Sequence, residues 1–309
     1  MNEGRFGSVR KKLFLLLCLA LCVLTLSACN TSAYDTSDAH LIPAAKLGEW
    51  MEREKVVVVD MQSAEDYAAA HVPGAVNLQA SDILINVPVQ NMLTSAKKLQ
   101  KVLGEKGIDN ETTIVAYDSN KMNAARLFWT MLCYGSDKVL VVDGGLNAIQ
   151  KAGISLTDQA TEITPAEYIC AEKDARWLAT MEDVQAQLNE PDKNTVLLDV
   201  RSDEEYAQSG KIPSSILWDY SDQFYADGTF KDTQTTRINF LNQGMPPEKN
   251  LILYCQTSMR AAPVFLRLYD AGYRNLKIYD GAYLEWSQNP NNAVDMPTGA
   301  IAPNQKDAS

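Results

Sequence analysis

The sequence predicts an α/β protein of two similar domains, each a mostly parallel β-sheet with helices on both faces. Three observations predict it. The chain repeats itself: Val56-Val57-Val58-Val59-Asp60 precedes Ser63-Ala64-Glu65-Asp66-Tyr67, and Thr195-Val196-Leu197-Leu198-Asp199 precedes Ser202-Asp203-Glu204-Glu205-Tyr206, 139 residues later. Apolar runs of strand length alternate with helical patterns, the signature of a parallel sheet covered on both sides. A length of 309 residues with 46% hydrophobic content suits two globular domains.

The elements follow in order. Residues 1–28 read as a processing signal: Arg10-Lys11-Lys12 is a basic start, and Leu13 to Leu26 is an apolar run too short for a comfortable membrane span. Leu26-Ser27-Ala28-Cys29 resembles the lipobox of bacterial lipoproteins. That resemblance makes Cys29 the lipid-modified residue and the protein an extracytoplasmic, membrane-anchored lipoprotein held by several acyl chains. Residues 29–40 are a polar tether. The first domain covers 41–153, a linker 154–174, the second domain 175–295 and a loose tail 296–309. Within each copy the order is strand, capped helix, Pro turn, strand, loop, helix, strand, Gly turn and helix. Ser63 and Ser202 are the expected N-caps. The Pro turns are His71-Val72-Pro73-Gly74 and Lys211-Ile212-Pro213-Ser214, and the Gly turns begin at Asp143-Gly144-Gly145 and Asp280-Gly281-Ala282.

Charge and rare residues exclude several functions. The net charge is -11, and no basic block lies beyond residue 12, so nucleic acid is not an expected partner. With the signal removed and Cys29 lipidated, Cys133, Cys170 and Cys255 remain, too few for a disulfide framework. Cys133 sits in the apolar stretch Phe128-Trp129-Thr130-Met131-Leu132-Cys133 and reads as a core thiol. His40 and His71 are the chain's two histidines, and the second copy has none. A Cys–His hydrolase therefore needs His71 to cross between domains. No spacing of His and Cys suggests a metal site, and no cofactor is expected.

Cys255 is the candidate nucleophile. It follows the strand pattern Leu251-Ile252-Leu253-Tyr254 and opens the loop Gln256-Thr257-Ser258-Met259 before Arg260. Open α/β sheets place ligands at the carboxyl ends of strands. A helix starting near Ala261, with Pro263 in its first turn, turns its positive end toward the loop and favours a thiolate. The matching position in the first copy is Asp118, so that copy lacks the nucleophile, and its loop runs longer before a cation appears, at Arg126. Four residues separate Cys255 from Arg260, a shorter cradle than the Cys-x5-Arg of protein tyrosine phosphatases and arsenate reductases, and suited to one extra sulfur atom. A Cys-dependent phosphatase is thus the disfavoured alternative. Arg201 either faces the pocket as a second cation or pairs with Glu205 four residues on. Trp218, Tyr220, Phe224 and Tyr225 either line the entrance or pack.

Over residues 41 to 295 the chain resembles the tandem-domain rhodaneses, the thiosulfate and 3-mercaptopyruvate sulfurtransferases. The matching pieces are Asp199-Val200-Arg201 with Glu205-Tyr206, Ile212-Pro213, Tyr254-Cys255 with Arg260, and Asp280-Gly281-Ala282-Tyr283-Leu284-Glu285-Trp286; His71-Val72-Pro73-Gly74-Ala75 and Asp143-Gly144-Gly145 match in the first copy. The resemblance implies two rhodanese-like domains, the first inactive, and a ping-pong transfer of sulfane sulfur through a Cys255 persulfide. Arg260, Arg201 and the loop residues Gln256, Thr257, Ser258 and Met259 would bind a small anionic donor. A thiol, cyanide or a redox protein would accept the sulfur. A membrane-tethered persulfide relay with little turnover is the other reading. The sequence departs from the family pattern at Ser258, where Gly is frequent, at Gln62 in place of Arg, and at Lys211 and Ser214.

Overall fold

In the first repeat, β1 (Leu41–Pro43), β2 (Val56–Asp60) and β3 (Val76–Asn77) precede a small antiparallel pair, β4 (Leu84–Ile85) and β5 (Met92–Leu93); β6 (Thr113–Tyr117) and β7 (Val139–Asp143) follow. The main sheet has the order β1-β7-β6-β2-β3, every pair parallel. The second repeat supplies β8 (Leu178–Ala179), β9 (Thr195–Asp199), β10 (Ile216–Leu217), β11 (Asn250–Tyr254) and β12 (Leu276–Tyr279). Its order, β10-β9-β11-β12-β8, is the same arrangement read from the other edge, again wholly parallel. This is the doubled α/β architecture that the repeat predicts. The computed structural model describes residues 39–297 and the backbone of 301–303. The expected signal segment and Cys29 lie outside the described residues, among which no helix is long and apolar enough to cross a membrane.

Local chemistry fixes the helix starts. The Ser63 hydroxyl accepts the Asp66 N–H (3.1 Å), and the Ser202 hydroxyl accepts the Glu205 N–H (3.3 Å) while the Glu205 carboxylate accepts the Ser202 N–H (3.2 Å), a complete capping box. Two helices are buried along nearly their whole length because both are interior. Helix Asn123–Cys133 is buried from Ala124 to Cys133, and helix Ala261–Asp270 is buried from Ala261 to Leu268. They follow the equivalent strands β6 and β11 and lie in one core that spans both repeats, including Phe128, Trp129, Phe265 and Leu266. Fully burying such a side chain is worth roughly 1.5–3 kcal/mol. The opposite sheet faces carry separate clusters, around Leu47 and Tyr117 in the first repeat and around Tyr254 and Trp286 in the second. The Asp270 carboxylate ties the start of β1 across the boundary, accepting the His40 and Leu41 N–H groups, each at 3.0 Å.

Two segments outside the repeats are held by backbone hydrogen bonds. The linker has no regular secondary structure yet is docked: Ala166 N–H donates to Gly104 O (2.9 Å), and a Cβ on Gly104 would stand 2.6 Å from that Ala166 oxygen, so only glycine admits the approach. The stretch expected to be a loose tail contributes β14 (Ile301–Pro303), antiparallel to β13 (Ala293–Asp295), whose edge would otherwise be unpaired.

Candidate active site

Cys255 leaves the carboxyl end of β11, the middle strand of the second sheet. It is 1% exposed, so the sulfur lies beneath its own loop rather than standing on the surface. The Tyr283 N–H donates to the Cys255 carbonyl (2.9 Å) and the Leu284 N–H to the Gln256 carbonyl (3.0 Å), which fastens the start of the loop to helix Ala282–Gln288. Thr257 is held from the first repeat, its hydroxyl accepting the Asn91 side-chain amide (3.1 Å). The Met259 carbonyl accepts the Ala262 N–H (3.3 Å), and its side chain packs on the shared core. Helix Ala261–Asp270 then begins, as the sequence predicts.

Ser258 is buried in the left-handed region, at φ 63°. An L-residue costs roughly 1–2 kcal/mol there. Its hydroxyl is directed at the carbonyl oxygens of Tyr279 (2.9 Å) and Asp280 (2.5 Å), which offsets the strain and closes the loop on the Gly turn.

Arg260 closes the ring. Its two terminal nitrogens donate to the two carboxylate oxygens of Glu205, at 2.5 and 2.6 Å. Glu205 holds this guanidinium above its ordinary pKa, and the nearby Cys255 sulfur adds to the effect. Burial opposes the charge on Glu205, but Arg260 outweighs it and keeps the carboxyl below its ordinary range. The guanidinium also lies 5.7 Å from the Tyr220 ring.

Arg201 is elsewhere. It is fully buried, donates to both Asp199 oxygens and to the Gly210 carbonyl (2.7 Å), and lies 3.8 Å from the Tyr283 ring. Neither position expected for it, the donor pocket or a bond to Glu205, is the one it takes, because the adjacent buried Asp199 carboxylate takes its guanidinium through both oxygens. Gln62 does the same work without charge, donating to Asp60 (3.0 Å) and to the Ala70 carbonyl (3.4 Å), while the Tyr117 hydroxyl supplies Asp60 with a further bond (2.5 Å). Trp218 packs on Phe240 and Phe224 on Phe230, so these aromatics chiefly pack.

The first repeat's loop is the same length as the Cys255 loop, not longer. Lys121 takes φ 64° at the place of Ser258, Met122 matches Met259, and Asn123 stands where Arg260 does. Asp118 fills the Cys255 position and closes its loop from within, accepting the Lys121 N–H (2.8 Å) and the Ala124 N–H (2.9 Å). Burial raises its pKa, against the pull of those amides. Arg126 belongs to the helix and is no loop cation: it forms a buried ion pair with Asp280 at 2.7 Å.

The remaining thiols and histidines are committed elsewhere. Cys133 is buried in the core, and burial pushes its pKa far up; burial pushes Cys170 up to about 11. His71 is fully buried, with its ring nitrogens on the Tyr67 and Gln159 carbonyls, and His40 is on Asp270. Sequence reasoning missed Asn91, Asp280 and the Glu205–Arg260 bond. The last was within reach, since β9 and β11 are neighbours and Asp199 is in register with Tyr254, which sets the loops after them side by side.

The model of the rhodanese-like domain matches residues 43–152 and again 180–289. The chain belongs to the rhodanese family. It is 29% identical over 260 residues to "Putative thiosulfate sulfurtransferase 1" of Mycobacterium bovis, covering 77% of this chain and 92% of that one. It is 28% identical over 270 residues to "Sulfur carrier protein TtuD" of Thermus thermophilus, covering 81% and 92%. Among solved structures, the anaerobic ergothioneine biosynthesis enzyme of Chlorobium limicola shares the fold, with TM-score 0.76, 20% identity and coverage of 85% of this chain and 71% of that one. In this rhodanese pair the second repeat carries the cysteine and the first carries Asp118 in its place.

Proposed function

We propose that this chain is a sulfurtransferase that takes a sulfane sulfur from thiosulfate or 3-mercaptopyruvate onto Cys255 and passes it to a thiophilic acceptor. The observation that carries the reading is the enclosure of Cys255 at the end of β11 by a short left-handed loop ending in Arg260. With thiosulfate, the Cys255 thiolate attacks the outer sulfur. The donor's S–S bond breaks, sulfite leaves with the electron pair, and a Cys255 persulfide remains. Cyanide, a thiol or a reduced protein then attacks the outer persulfide sulfur and returns the thiolate. The loop and the positive end of helix Ala261–Asp270 stabilise the negative sulfur. Neither transfer requires a general base, which fits the commitment of both histidines elsewhere.

From Leu26-Ser27-Ala28-Cys29 we further propose that the protein works outside the cytoplasm, tethered through lipid on Cys29. The test of the reaction is steady-state thiosulfate:cyanide turnover: wild type forms thiocyanate, and Cys255→Ser does not. A relay to a dedicated protein is the second reading, favoured by the 1% exposure of Cys255 and by likeness to a sulfur carrier protein. Its mark is a persulfide that forms readily and yields little to cyanide. Aryl phosphate hydrolysis dependent on Cys255 would overturn both.

A further inference from the structure

Arg260 is the cation of the Cys255 loop, and each of its two terminal nitrogens donates a bond to Glu205, beside the Cys255 sulfur. Glu205 is itself fixed, because one of those oxygens also completes the capping box with Ser202. The pair is only part exposed, at 21% and 30% for the two side chains, so solvent screens it incompletely. Arg201, four residues before Glu205, is spent on Asp199. A donor approaching the Cys255 thiolate therefore meets a loop whose positive charge is already balanced by a carboxylate.

We propose that Glu205 is a selectivity residue that disfavours doubly charged sulfur donors and favours singly charged ones. This rests on the sulfur-transfer reading and divides its two donors. Thiosulfate enters as a dianion, and its repulsion from Glu205 and the thiolate is about twice that felt by a monoanion. 3-Mercaptopyruvate carries one carboxylate. Its carbon–sulfur bond breaks as the sulfur–sulfur bond to Cys255 forms; the electron pair passes to the pyruvate enolate, and a proton from water completes pyruvate. Glu205 acts through its charge and its hold on Arg260, not by touching the reacting atoms.

The test compares wild type with Glu205→Gln, which keeps the capping box because Gln serves that position as Glu does. The readouts are kcat/KM for each donor and the mass of Cys255 after exposure to it. Glu205→Gln is expected to raise thiosulfate kcat/KM by about tenfold relative to 3-mercaptopyruvate, with the gap shrinking at high salt. An equal change for both donors, or a loss confined to thiosulfate, would overturn the proposal while leaving sulfur transfer intact. No sulfur on Cys255 from either donor, in either protein, would overturn the transfer reading and this inference with it.

Discussion

Lys121 and Ser258 occupy the same turn of the two repeats, with φ values of 64° and 63°. The left-handed turn is thus part of the repeated loop, not a device of the copy that carries Cys255. What differs is how each side chain is employed. Lys121 reaches over the Phe224 ring of the other repeat, at 4.8 Å, whereas Ser258 turns inward and bonds the Tyr279 and Asp280 carbonyls.

Ser258→Ala keeps the strained backbone and loses the hydroxyl, so it is expected to lower stability by about 1–2 kcal/mol in urea unfolding. Ser258→Gly loses the same bonds but relieves roughly 1 kcal/mol of strain, and should fall nearer to wild type. An Ala variant as stable as wild type would show that the two carbonyl bonds contribute nothing.

The Asp residues of the two Gly turns reach across the domain boundary. Asp143 accepts the Phe230 N–H (2.8 Å), and Asp280 accepts the Leu93 N–H (2.6 Å) together with Arg126. Since the Asp280 carbonyl also receives Ser258, the first repeat braces the Cys255 loop. Arg126→Met leaves a buried carboxylate without its cation and is expected to cost about 3–5 kcal/mol. The double variant Arg126→Met/Asp280→Asn should recover part of that loss, as a double-mutant cycle in denaturant would measure. Strict additivity of the two changes would contradict the coupling.

The doubled sheet, the N-caps and Cys255 were legible because each is written in local sequence: apolar runs, Ser-x-x-acid, and a cysteine after a strand. The roles of the arginines were not. Distance along the chain brought Arg126 into the first loop, but helical phase carries it to the domain interface, and Asn123 takes the loop position. Arg201 and Glu205 have helical spacing, yet the buried carboxylate of Asp199 claims Arg201 first. The docking of the linker on Gly104 depends on shape, which one segment's composition does not encode.

Acid sensitivity has a named contributor. Asp232 caps helix Thr233–Asn242, accepting the Thr235 N–H and hydroxyl (2.8 Å each) and the Tyr225 hydroxyl (2.9 Å). The Thr235 N–H is the largest of the influences that hold its carboxyl at about 2, against an ordinary 3.8. A lowered carboxyl stabilises the fold above its unfolded value and ceases to do so as pH falls through its folded one, here between about pH 4 and about pH 2. Asp232→Asn retains a competent cap and loses the titration. Wild type should therefore melt above the variant near neutrality, and the two should converge at the acid end. A Tm difference that does not change with pH would contradict the assignment.

The central claim is that one thiol of the second repeat carries the sulfur. The direct measurement is peptide-resolved mass spectrometry of the protein after exposure to thiosulfate or 3-mercaptopyruvate, and again after cyanide. The account predicts one added sulfur on Cys255, none on Cys133 or Cys170, complete removal by cyanide, and no gain in Cys255→Ser. Sulfur on Cys170, or an equal gain in Cys255→Ser, would contradict it.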